Sequence, residues 1–130
     1  MGTDAGGSDM GDRASRIELV RAPMPLAHLS SAAEVVFGDL VKAVVDVRQG
    51  VMAIGGELHA DEEALLIGSG SSQADLWGIN PYPDRYGTPD FIEFDSMINL
   101  RPRQGDRSRS VDDPITRAAI AEIVARLVEA

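Results

Sequence analysis

The chain has 130 residues, of which 44% are hydrophobic and 25% charged, the composition of one folded domain rather than of a disordered or fibrous chain. Twelve Lys and Arg against 21 Asp and Glu leave a net charge of −9, which argues against general nucleic-acid binding and against an anionic membrane surface, since a polyanion would be repelled over most of the molecule. Cysteine is absent, so disulfides, thiolate-ligated metals and thiol nucleophiles are excluded.

No apolar run approaches the roughly 18 residues of a membrane span, and the start of the chain lacks the basic and apolar stretches of a secretion signal. A soluble, cytoplasmic protein is the expectation. Residues 1–15 (MGTDAGGSDMGDRAS) hold too little apolar surface to offset the entropy of ordering, so a disordered tail is expected there, followed by a single domain over 16–130. Arg16–Ala22 alternates as a short first strand, broken by Pro23 and Pro25. Over His28–Gly38, Leu29, Ala32, Ala33, Val36 and Phe37 recur at spacings of three and four, one stripe of an amphipathic helix, with Ser30 or Ser31 to cap it and Gly38 to stop it.

The period then changes to two. Val41, Ala43, Val45 and Val47 alternate with Lys42, Val44, Asp46 and Arg48, and a second β-rich run, Val51–Leu58, follows Arg48-Gln49-Gly50. Two such runs around a glycine turn predict a hairpin, with Gly50 at the position that needs positive φ. Residues 60–67 (ADEEALLI) fit a short helix or a strand equally. After the loop Gly68–Ser72, Leu76–Asn80 reads as a strand. Phe91–Leu100 reads as another, with Ile92, Phe94, Ser96, Ile98 and Leu100 on one side and Glu93, Asp95, Met97 and Asn99 on the other. Asp112-Asp113-Pro114 starts a last helix, whose stripe is Ile120, Ile123, Val124, Leu127 and Val128. The order predicts an α+β fold: an antiparallel β-meander sheet with two amphipathic helices packed on one face.

Two stretches are distinctive: GGELHADEE at Gly55–Glu63, and FDSMINLRPRQGDRS at Phe94–Ser108. On these strings the chain resembles a family of small bacterial and archaeal proteins known only as a domain of unknown function, over roughly residues 35–128. The Gly/Asp-rich start and the PYPDRYGTPD loop stand outside that pattern. The resemblance brings no activity, substrate or catalytic residue with it, so the chemistry rests on the residues.

Three groups of residues carry it. Glu57, His59 and Asp61, with Glu62 and Glu63, follow the glycine pair Gly55-Gly56 and offer oxygen and nitrogen ligands to a divalent cation. If the strand continues through residue 59, Glu57 and His59 share a face. The spacing matches neither HExxH nor a calcium loop, and the same acids suit the N-terminus of a helix. Glu93, Asp95 and Asn99 on the polar face of the Phe91–Leu100 strand, with Arg101 just past it, can hold a small polar ligand or satisfy one another. The loop Arg101–Arg109 packs four arginines and one aspartate into nine positions. It can bind phosphate, nucleotide or carboxylate, or serve as a staple to Glu57, Asp61 or Asp95. A serine nucleophile at Ser69–Ser72 and a phosphate-cradling P-loop are not indicated, because no nucleophile elbow or Walker lysine accompanies them. Trp77 and Phe94 are expected in the core and His28 at the surface.

The leading expectation is a small anionic or polar ligand held by Glu57, His59, Asp61, Asp95, Asn99, Arg101, Arg107 and Arg109. The alternatives are a hydrolase-like enzyme, divalent-cation binding by Glu57, His59 and Asp61, and an interaction module that pairs two copies or binds a partner protein. In the enzyme His59 is the general base, Glu57 or Asp95 orients it, and Arg101 or Arg107 holds the substrate charge.

Overall fold

The computed structural model describes residues 16–130, and the tail expected at 1–15 lies outside the described residues. Strands β1 (Glu18–Val20) and β2 (Met24–Pro25) precede helix α1 (Leu26–Val36). Then come β3 (Ala43–Asp46), β4 (Val51–Ile54), α2 (His59–Gly68), β5 (Leu76–Pro81), β6 (Ile92–Glu93), α3 (Pro114–Leu127) and β7 (Val128–Glu129). Five strands form one antiparallel sheet in the order β1-β4-β3-β5-β6, and β2 pairs with β7 in parallel beside it. The fold is α+β, as the periodicity predicts.

Alternation along the strands sorts the side chains into two layers. Ala43, Val45, Met52, Ile54, Trp77 and Ile79 point to one face, where Leu29 and Ala33 of α1 and Ile120, Ile123, Val124 and Leu127 of α3 close a single core. These are the two helices expected together on one side. The segment 60–67, open between helix and strand in the sequence, is helical and covers the opposite face. There Leu66 packs on Val44, Ala53 and Leu76 in a smaller cluster.

The β3–β4 hairpin stands where the period of two places it, with Gly50 at φ +70°. Asp46 holds its turn: the buried carboxylate accepts from the backbone N–H of Arg48 and Gln49, each at 2.9 Å, and from Ser71 Oγ at 2.6 Å. Asp113 caps α3 by accepting from Thr116 N and Oγ1, with Pro114 at the first helical position. α1 begins earlier than expected, because Pro25 at φ −66° already sets the entry. Ser31 caps nothing, and its hydroxyl donates to Ala27 O.

The largest departure is Phe91–Leu100, which is not one strand. Pairing ends at Glu93, and the chain crosses from the sheet edge onto the α2 face, where Met97–Asn99 form a 3₁₀ turn capped by Ser96 Oγ. Gly78 permits this. A β-carbon at residue 78 would lie 2.5 Å from Ser96 Cβ and Oγ and 3.2 Å from His59 Cδ2. Asn99, buried completely, then does for the edge of β5 what a longer β6 would have done. Its Oδ1 accepts from Gly78 N at 2.8 Å, and its Nδ2 donates to Gly78 O at 3.0 Å.

Candidate functional site

The α2 face of the sheet ends in a cleft of about 230 Å³. Its walls come from four places in the chain: Lys42 just before β3, Leu58–Ala60 at the start of α2, Asn80 at the end of β5, and Asp95–Ile98 together with Arg109. The topology brings them together. Lys42 precedes the register Ala43↔Ile79 and Val44↔Gly78, so by alternation it projects on the same face as Gly78 and Asn80.

His59 stands in the first turn of α2 and is only 7% exposed. Its Nε2 lies 2.8 Å from the carbonyl oxygen of Ile79. A carbonyl can only accept, so Nε2 carries the proton in the neutral ring and Nδ1 keeps its lone pair. Among the described residues no hydrogen bond engages Nδ1. Burial lowers the His59 pKa to about 4, the bond to Ile79 opposing and the Lys42 charge adding to the shift. The ring is therefore neutral at pH 7.

Arg109 and Asp95 form a two-pronged ion pair at the rim: Nε donates to Oδ1 at 2.8 Å and Nη2 to Oδ2 at 3.2 Å. Both side chains remain about half exposed. Asn80 is 7% exposed, and its Nδ2 donates to Glu93 Oε1 at 2.9 Å and to the Asp95 carbonyl at 3.0 Å. Both neighbours are acceptors, which fixes the amide's orientation. Its Oδ1 is left buried without a partner. The first turn of α2 has no side-chain cap; Asp61 N donates to Leu58 O at 3.2 Å, and His59 and Ala60, at the positive end of the helix dipole, line the cleft.

Of the residues singled out in the sequence, the cleft gathers His59, Asp95 and Arg109. The rest go elsewhere. Glu57 pairs with Arg16 at 2.6 Å on the surface. It does not share a strand face with His59, because β4 ends at Ile54 and a helix starts at His59. Asp61 stands in the first turn of that helix, the structural use its acidic run allowed. Asn99 holds Gly78 and also donates to Arg109 O at 2.9 Å, so its amide is spent on backbone. Arg101 is 9% exposed and donates to three carbonyls, those of Ile98, Gln73 and Leu76, while its guanidinium stacks 4.3 Å above the Trp77 ring. Arg107 is exposed. Among the described residues no group of three or more His, Asp or Glu side chains gathers to hold a metal ion.

Lys42, Asn80 and Ser96 were missed as site residues. Lys42 is the chain's single lysine and lies on the polar side of the period-two run, a weak signal. Asn80 and Ser96 carry none, since only the strand register and the crossing over Gly78 bring them here.

A second buried carboxyl lies nearby. Glu62 is fully buried beneath the glycine pair, with Oε2 accepting from Gly56 N at 2.9 Å and Oε1 unpartnered. Burial raises its pKa well above the usual carboxylate range, against the opposing bond from Gly56.

Fold and cleft together define a small α+β protein with a polar recess on the sheet face that α2 covers. The chain belongs to a family described as protein of unknown function (DUF5674), whose model matches residues 18–127. No curated protein and no solved structure matches it.

Proposed function

We propose that the cleft binds a small anion. One observation carries this reading: the uncapped first turn of α2 opens into the same recess as Lys42 and Arg109. Backbone N–H groups at a helix start, an ammonium and a guanidinium are the three donors from which anion sites are ordinarily built. Asp95 tempers the positive charge and orients Arg109. The volume suits a phosphate or a short carboxylate rather than a nucleotide.

The enzymatic reading draws on one feature, the neutral His59 with a free Nδ1. The group that orients it is the carbonyl of Ile79, in place of the Glu57 or Asp95 expected from the sequence.

A thermal-shift and calorimetric screen of the full chain against inorganic phosphate, alkyl phosphates and short carboxylates tests the anion site. An occupant at 100 times its dissociation constant raises stability by roughly 2.7 kcal/mol. The gain should disappear in Lys42→Ala and in Arg109→Ala. A stabilising anion whose effect survives both substitutions would place the site elsewhere, and no response to any of them would overturn the reading.

A further inference from the structure

We infer that the cleft is selective for anions that carry a hydroxyl beside the charged group, and that His59 Nδ1 is the acceptor that reads that hydroxyl. This deepens the anion reading and rests on it. His59 lines the cleft and its Nδ1 accepts no hydrogen bond among the described residues, the other ring nitrogen being held by Ile79 O; beside it Oδ1 of Asn80 is buried and unpartnered. An occupant that covers Nδ1 removes it from water, so one that supplies a donor there binds better than an isostere that leaves the nitrogen unbonded. The donor has to be neutral. Lys42 and Arg109 outnumber Asp95 as charged walls, and the burial that keeps His59 uncharged disfavours an ammonium in the same space.

The anionic group then meets Lys42 and Arg109, and the hydroxyl meets His59 at the start of α2. Short 2-hydroxy carboxylates and hydroxylated alkyl phosphates share this chemistry.

Isothermal titration of the full chain near pH 7 separates the possibilities with two matched pairs: lactate against isobutyrate, where a methyl replaces the hydroxyl, and glycerol 3-phosphate against propyl phosphate. In at least one pair the hydroxylated member should bind ~10-fold or more tightly. His59→Phe should erase the ratio, bringing the hydroxylated member to the affinity of its partner. Equal affinities within both pairs overturn the selectivity while leaving the anion site standing. A ratio that survives His59→Phe assigns the hydroxyl to another group and overturns the role of His59. Binding of none of the four compounds overturns the anion site and this inference together. If His59→Phe does not fold, the wild-type ratios decide the selectivity, and the ¹⁵N resonance of His59 Nδ1, which should shift with the hydroxylated member and not with its partner, decides the role of His59.

Discussion

The two faces of the sheet are built on opposite principles. Against α1 and α3 the sheet packs in a continuous apolar core, from Ala43 and Val45 through Met52, Ile54 and Ile79 to Ile120 and Leu127. Against α2 the apolar contact is confined to Val44, Ala53, Leu66 and Leu76. Beyond it lie Asp46, Glu62, His59, Asn80, Ser96 and Asn99, all buried and all polar. The first face gains its stability from area removed from water, a non-directional effect. The second depends on individual hydrogen bonds whose loss strands a buried group. The groups left over among the described residues lie on the second face: Nδ1 of His59, Oδ1 of Asn80, Oε1 of Glu62 and the start of α2.

The largest test of this contrast is a cavity in the apolar face. Leu127→Ala, at a fully buried position, should cost about 2–5 kcal/mol in urea denaturation. The folded variant should still show the anion response of the wild type. A loss of binding in proportion to the loss of stability would mean that the two faces are not separable. Next comes the polar face. Asn99→Ala strands Gly78 N–H and Gly78 C=O and takes one of two donors from the Arg109 carbonyl, which keeps its bond from Ser96 N, and should cost about 3 kcal/mol. It should also abolish the anion response, because the Ser96–Arg109 segment loses its anchor. A cost under about 1 kcal/mol would show that the crossing over Gly78 is held by packing alone.

The buried titratable pair gives a sharper reading. His59 has its usual pKa of 6.5 when unfolded and about 4 when folded. Between those values the unfolded chain holds a proton that the folded one lacks, so acidification through this window removes stability, up to about 3 kcal/mol by pH 4. Glu62 acts in the opposite sense. Folded, it keeps a proton that the unfolded chain has lost above its ordinary value of 4.5, so its contribution falls as pH rises from there. Above pH 4.5 the two oppose each other, so wild-type stability should fall less steeply on acidification than His59 alone would make it. Glu62→Gln, which keeps the acceptor for Gly56 N, should uncover the His59 slope of roughly 1.4 kcal/mol per pH unit and raise stability at pH 7. Parallel curves for the two proteins would mean that Glu62 is ionised in the fold.

Much of this architecture is legible in the sequence because its signals are local. The hairpin announces itself by a period of two around Gly50, and α3 by Asp113-Pro114 before an apolar stripe. Phe91–Leu100 misleads because its alternation is real but arises from two surfaces in succession: the sheet edge up to Glu93, then the floor opened by Gly78. The site is legible in its chemistry and not in its membership. His59, Asp95 and Arg109 could be picked as reactive types. Asn99 and Arg101 look equally functional, yet both are consumed by backbone carbonyls, which no side-chain pattern reveals. Lys42 and Asn80 become neighbours only through the register of β3 on β5.

The smallest effect on stability discriminates best between structure and function in the arginine loop. Arg109–Asp95 is a half-exposed pair, and pairs of that kind are worth about 0–1 kcal/mol after solvent screening. Arg109→Ala should therefore leave the apo-protein nearly as stable as wild type and remove the anion response. Arg107→Ala, at an exposed position outside the cleft, should change neither. Arg101→Ala should do the reverse of Arg109→Ala, lowering stability by about 2 kcal/mol through its carbonyl bonds, with anion affinity per folded molecule unchanged. Four arginines in nine residues would then resolve into a staple, a ligand contact and solvated charge. If Arg107→Ala instead abolished binding while Arg109→Ala did not, the anion would sit on the loop itself, and the cleft would lose its claim.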